Sequence, residues 1–279
     1  MGNRLLQVGV INKRRNKMSH YAVLVLHRED QGIEDLLAPY DENLKVEPYF
    51  KYTKEEALKL IKKNYVPHND FLKGYTDEAL IKWFCSQYSS LSLKNDGIYS
   101  TYNPDSKWDW WSLGGRFSDS LELKDEIAER KIKTYKEMYD DEYDNEWLRY
   151  VDEAKVSDIK WIKPFTDEQR ENTYKWWMAN IEQDNNYSDY KEEFFLWKPE
   201  YYKERYKDVD TYIKTQEYPC YHSIITPDGV WHEASHMGWF ACTDGKPSEE
   251  LQWDLNFYDT FIKPNLNSDL ITTIVDCHI

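Results

Sequence analysis

A chain of 279 residues with 36 Lys and Arg against 51 Asp and Glu carries a formal net charge of -15. A field of that sign repels nucleic-acid backbones unless a local basic patch reverses it, and it suits plain solubility, a basic protein partner or mimicry of nucleic acid. Aromatic residues make up 16% of the chain, too many for a disordered one, and no apolar run approaches the roughly 18 residues that a membrane-spanning helix needs.

Residues 1–17 are basic, lack the apolar stretch of a signal peptide and offer little to pack, so they read as a disordered extension outside the fold. Residues 21–26, Tyr-Ala-Val-Leu-Val-Leu, form the continuous apolar run of a central strand. Residues 33–50 contain Pro39 and Pro48 and read mostly as loop. Thr53, with Glu56 three residues on, is a capping box that opens a helix to about residue 64. Thr76 opens a second helix to about residue 88, where Ala79, Leu80, Trp83, Phe84 and Tyr88 recur at helical spacing. After Asp96-Gly97 the chain is irregular and aromatic as far as Phe117. Residues 119–217 are dense in charge and are expected to form a mainly helical insertion or lobe. One of its helices follows Thr166, with Gln169 at the capping-box position and Tyr174, Trp177, Met178 and Ile181 as the buried stripe. Residues 220–233 contain a hairpin with Pro227-Asp228-Gly229 as its turn, and residues 238–242 suggest a further strand. A helix from Ser248, with Leu251, Leu255, Tyr258, Phe261 and Ile262 on one side, stops near Pro264, and residues 270–279 are a closing strand. The fold expected is α+β with an antiparallel or mixed sheet, residues 18–118 and 218–279 jointly forming its core. Pairing of the first and last strands would close a ferredoxin-like arrangement with a split βαβ connection.

The most unusual stretch runs from Asn103 to Phe117. Trp108, Trp110 and Trp111 fall within four positions, Gly114-Gly115 permits a left-handed turn or close backbone approach, and Lys107 and Arg116 bracket the stretch with positive charge. Asp109 stands where it can orient either cation. One reading is a pocket for a planar anionic ligand such as a nucleotide, with tryptophan stacked on the base. The other is structural, with Asp109 clamping a loop by an ion pair and the tryptophans serving as core or subunit contact. The glycines lack the spacing of a dinucleotide fingerprint and the lysine of a phosphate-binding loop.

The segment Lys107-Trp-Asp-Trp-Trp-Ser-Leu-Gly-Gly-Arg-Phe117 resembles a signature of uncharacterised bacteriophage-encoded proteins. The resemblance extends to Leu37-Ala-Pro-Tyr-Asp-Glu-Asn43, to Met237-Gly-Trp-Phe240 and to the ending Ile274-Val-Asp-Cys-His-Ile279. The family has no established activity and so assigns no catalytic residue. It implies an origin and a setting: a protein acting in the cytoplasm of a bacterial host, in takeover or evasion of defence, by engaging a host protein or sequestering an anionic small ligand.

His232-Glu-Ala-Ser-His236 matches the zinc-protease pattern, in which two histidines on one helix face hold the metal and the glutamate acts as base. The turn just upstream and Gly238 just downstream leave barely two helical turns. On a strand, residues four apart lie about 13 Å from one another, so no cofactor is expected and zinc at His232 and His236 goes against context. A looser cluster of His222, His232 and His236 with Asp276 and His278 remains a candidate to hold a metal or do acid–base chemistry, with Asp276 and His278 as its best pair because they alternate onto one strand face. No set of residues names a reaction. The leading expectation is therefore a binding protein, beside a hydrolase or nucleotide-processing enzyme built on the C-terminal His and Asp residues, and beside a structural or virion-associated protein whose aromatics make homo-oligomer contacts.

Overall fold

A computed structural model describes residues 20–192, 198–235 and 245–279. The expected extension at residues 1–17, the expected strand at 238–242 and His236 lie outside the described residues. The chain divides into two compact units, Leu37–Asp109 and the combination of Met1–Leu36 with Trp110–Ile279.

The larger unit is built on β1 (His20–His27), whose apolar run is buried along almost its whole length. A strand buried on both faces needs apolar residues at odd and even positions alike, which is why the alternation of a half-buried strand is absent. β1 pairs antiparallel with β11 (Ile271–His278) over its full length, from His20 opposite His278 to His27 opposite Ile271. On its other side β1 runs parallel to β9 (Ser223–Ile225), and β9 pairs antiparallel with β10 (Trp231–Glu233) across the predicted turn, where Gly229 has φ +82°. The far edge of β11 is shared by β5 (Trp110–Leu113) and β8 (Glu153–Lys155). The resulting order is β10–β9–β1–β11–β5, with β8 also on β11.

The α+β class and the pairing of first with last strand match the sequence reading. The ferredoxin-like arrangement is not the one observed: β1 lies directly beside its parallel partner β9, whereas a split βαβ unit holds another strand between the two.

One face of the sheet carries the main core, in which Leu24, Leu26, Ile224 and Ile274 pack with Trp161, Phe257 and Ile262. Phe257 ends α8 (Pro247–Phe257); a single π turn, Tyr258–Ile262, then carries Phe261 against Trp253 and Phe257 at centroid distances of 5.5 Å each. Residues 119–217 do supply α4 (Asp125–Tyr139), α5 (Asp167–Asn180), α6 (Pro199–Tyr206) and α7 (Val209–Glu217). They also supply β8 to the main sheet and pair β6 (Leu121–Glu122) with β7 (Tyr150–Val151). This segment therefore belongs to the larger unit and is no separate lobe, since its high charge marks the solvent faces of helices and not a boundary. The capping box at Thr166 and Gln169 is formed, and Trp177 and Ile181 are buried as expected, whereas Tyr174 of the expected stripe is exposed.

The smaller unit has its own core. β2 (Tyr49–Tyr52), β3 (Leu91–Leu93) and β4 (Ile98–Ser100) form a three-stranded sheet in the order β2–β4–β3. α2 (Lys54–Asn64) opens at the Thr53–Glu56 capping box, and α3 (Asp77–Gln87) at Thr76, whose hydroxyl accepts from the N–H of Ala79. Ala57, Ile61, Leu72, Leu80, Phe84 and Ile98 are the buried cluster. The stretch read as loop from residue 33 holds instead a short helix, α1 (Ile33–Leu37), and a 3-10 turn at Ala38–Tyr40.

Candidate functional site

In the antiparallel ladders of the larger unit, directly opposed residues point to the same face. His20, His278 and Trp110 are opposed across three strands, and Ala22, Asp276 and Ser112 form the next row on that face. The side chains of His20, Trp110, Asp276 and His278 therefore gather at one end of the sheet. The Asp276 carboxylate is only 1% exposed. Its Oδ1 lies 2.8 Å from His20 Nδ1, and its Oδ2 accepts the backbone N–H of Arg116 at 3.0 Å. A carboxylate so buried is tolerable because both oxygens have a donor facing them. The His20 ring stands edge-on to His278 at 4.9 Å and to Trp110 at 5.8 Å. Trp110 is 51% exposed.

Gly114 and Gly115 both adopt left-handed backbone, with φ of +59° and +54°. A Cβ on Gly115 would stand 2.6 Å from Cβ and Oδ2 of Asp276 and 2.7 Å from Ser112 Oγ. A Cβ on Gly114 would stand 2.4 Å from Asp152 Oδ2 and from Ser118 Oγ. The paired glycines thus let the loop close over two carboxylates of its own chain. Asp152 secures the far side: its Oδ1 accepts from the N–H of Asp119 at 2.6 Å, and its carbonyl accepts from Ile274 at 2.9 Å.

The aromatic string crosses from the smaller unit to the larger one between Asp109 and Trp110. Its three tryptophans therefore do different work. Trp108, in the smaller unit, is buried and donates its indole N–H to the Leu37 carbonyl at 3.2 Å. Around it the Lys107 N–H donates to the Tyr40 carbonyl at 2.8 Å, and the Asn103 amide donates to the carbonyls of Pro39 and Asp41 at 2.7 and 3.0 Å. Lys107 and Asp109 are half-buried in that unit. In the larger unit, Trp111 is half-buried and opposes Cys277 on the sheet face away from Trp110, while Arg116 is exposed. Of the segments quoted for the resemblance, residues 37–43 lie beside 107–108 and residues 274–279 beside 110–117, while residues 237–240 lie outside the described residues.

The remaining candidates fall elsewhere. His222 is buried, and its ring stands edge-on at 5.8 Å to Tyr21, the strand neighbour on the face opposite His20. His232 and Glu233 sit on β10, as the turn before them suggested, and not on a helix. His232 packs on Phe261 at 5.0 Å, with Nε2 3.2 Å from Thr226 Oγ1. Among the described residues, no group of three His, Cys, Asp or Glu could hold a metal ion.

Two participants escaped the sequence reading. His20 looked like the residue before a strand, and Asp152 was one acid among many in a charged segment. Strand geometry puts His20 on the same face as Ala22, but only the register with β11 brings that face to Asp276.

Compared with known proteins, the chain matches no family model, no curated protein and no solved structure. No helix among the described residues is long and apolar enough to cross a membrane.

A second charged cluster has the character of a clamp. The guanidinium of Arg205, on α6, bonds Glu250 and reaches Asp254 Oδ2 at 2.5 Å, both on α8. The Tyr201 hydroxyl donates to Glu250 at 3.1 Å, and the Cys220 thiol donates to Asp254 Oδ1 at 2.9 Å. All three charged side chains are largely buried.

Proposed function

We propose that the chain is a binding protein that holds a small planar anion, a nucleotide being the first candidate, against Trp110. The observation that carries this reading is the half-exposed Trp110 ring beside His20 and His278, with the Arg116 loop folded over Asp276. Trp110 offers a stacking face. His20 Nδ1 faces Asp276, so a ligand contact from this ring would be made through Nε2. Arg116 adds a directional fork for phosphate or carboxylate in a chain whose net field otherwise repels anions. The resemblance to bacteriophage-encoded proteins supports a setting in the bacterial host cytoplasm, with sequestration of a ligand as counter-defence.

Calorimetric titration with nucleoside mono- and triphosphates tests the reading. Trp110→Ala and Arg116→Ala should abolish or weaken binding at least tenfold with the melting temperature unchanged, and Arg116→Lys should rescue poorly. No binding by the wild type, or equal binding by Trp110→Ala, would overturn it.

A second reading, an acid–base hydrolase, is favoured by the His20–Asp276 pair, because a carboxylate that orients an imidazole is the usual support of a general base. Turnover of phosphate esters or nucleotides that disappears in both His20→Ala and Asp276→Asn would select it over simple binding.

A further inference from the structure

The C-terminal end of α4 and the loop after it present large side chains to solvent. Met138 is 68% exposed, Tyr139 63%, Tyr143 80% and Trp147 60%. Exposed aromatics and methionine in one short segment are the composition of an interface centre, where tyrosine, tryptophan and methionine are enriched.

The segment is also built to hold them there. Asp140 closes α4 in left-handed conformation with φ +49°. The Asp141 carboxylate accepts from the Tyr143 N–H at 2.9 Å and from the Asn145 amide at 3.2 Å. Asn145 is 6% exposed and left-handed at φ +55°; its amide also donates to the Tyr143 carbonyl at 3.2 Å, and its Oδ1 accepts the Trp147 indole N–H at 3.3 Å. Tyr135 contacts Tyr139 at 4.6 Å and stands edge-on to Trp147 at 5.8 Å. The backbone of the loop and the rings of Tyr139 and Trp147 are therefore ordered before any partner arrives.

The charge around the rings selects the partner. Between Glu137 and Glu146 the charged residues are Glu137, Asp140, Asp141, Glu142, Asp144 and Glu146, with no Lys or Arg among them. Lys133, Lys136 and Arg149 line one shallow depression with Glu137, Asp144 and Glu146, where Arg149 bonds Glu146 and Lys133 approaches Glu137 at 3.8 Å in an exposed pair, so the surplus of negative charge lies at Asp140, Asp141, Glu142 and Asp144. A nucleic acid would be repelled. A second copy docking by two-fold symmetry would set these carboxylates against themselves. An arginine side chain suits both features at once, since a guanidinium stacks on aromatic faces and pairs with carboxylates.

We propose that the ledge formed by Met138, Tyr139, Tyr143 and Trp147 docks an arginine-rich segment of another protein. This docking does not depend on the ligand reading at Trp110. The test uses the full chain and fluorescence anisotropy with three labelled peptides, alternating arginine, lysine or glutamate with alanine. The arginine peptide should bind at least tenfold more tightly than the lysine peptide, and the glutamate peptide should not bind. Raising the salt from low to physiological concentration should weaken the complex. Tyr143→Ala, which leaves the charge intact, and the pair Glu142→Gln with Asp144→Asn should each weaken the arginine peptide at least tenfold at an unchanged melting temperature. General attraction to an acidic protein would be insensitive to Tyr143→Ala, and that result would overturn the proposal. So would arginine and lysine peptides of equal affinity, or a dimer in sedimentation that Tyr143→Ala dissociates.

Discussion

At the scale of single residues, the left-handed pair Gly114-Gly115 shows what a sequence can and cannot say. That two adjacent glycines permit a tight approach is plain from their lack of Cβ, but what they approach depends on a register set more than 150 residues away. The neighbour is Asp276, and the two features read separately from the sequence, the glycine loop and the C-terminal Asp and His, prove to be one. Gly115→Ala should therefore destabilise the fold by roughly 2–4 kcal/mol, combining the left-handed penalty of a Cβ with its collision with Asp276. Chemical denaturation should report a lower midpoint, and an unchanged midpoint would show the loop free to move off the carboxylate. Burial also pushes the Cys277 thiol well above its usual range. It should react with maleimide only on unfolding, whereas Cys85 and Cys220 are partly exposed. A mass shift counted in native buffer and again in denaturant separates the cases.

At the scale of elements, the helices, the hairpin and the pairing of first with last strand were legible, and the rest of the strand order was not. The capping boxes at Thr53 and Thr166 announce helix starts through local hydrogen bonds, and each is formed. Thr53→Ala should cost about 1 kcal/mol, because the Glu56 N–H loses the hydroxyl that accepts from it and the Glu56 carboxylate keeps only the cap N–H as donor. Strand order has no such local marker: the parallel pairing of β1 with β9 joins residues some 200 positions apart. The Arg205 clamp was invisible for the same reason, its partners Glu250 and Asp254 lying on another helix. Arg205→Ala should destabilise by about 3–5 kcal/mol, since it leaves two largely buried carboxylates facing each other without their cation. A loss below 1 kcal/mol in equilibrium unfolding would mean that water reaches the pair.

At the scale of the whole molecule, the tyrosine content becomes a pH dependence. Hydrogen bonding to Tyr88 and partial burial raise Tyr65 from 10.0 to about 12, and burial pushes Tyr206, Tyr212 and Tyr221 higher still. A phenol whose folded pKa exceeds its unfolded value stabilises the fold below the unfolded value and loses that contribution as pH rises through the folded one. Stability should accordingly fall from about pH 10 upward. In an alkaline titration, the last phenolate absorbance should appear together with loss of helical circular dichroism; full ionisation with helix retained would contradict the burial. Composition counted these rings as too many for a disordered chain, but could not say which were interior. The division of the chain was likewise hidden, because charge density peaks in residues 119–217 while the separate core is formed by Leu37–Asp109.

The opposition of His20 to His278 has a mechanical consequence. β1 and β11 enter and leave the sheet side by side, so a tether pulling on residues 20 and 278 loads their ladder one hydrogen-bonded pair at a time, like a zip. A tether on residues 20 and 271 would pull the same strands lengthwise and load the whole ladder together. In single-molecule stretching, the first attachment should open the sheet at a markedly lower force than the second, so the resistance of this fold to pulling depends on direction.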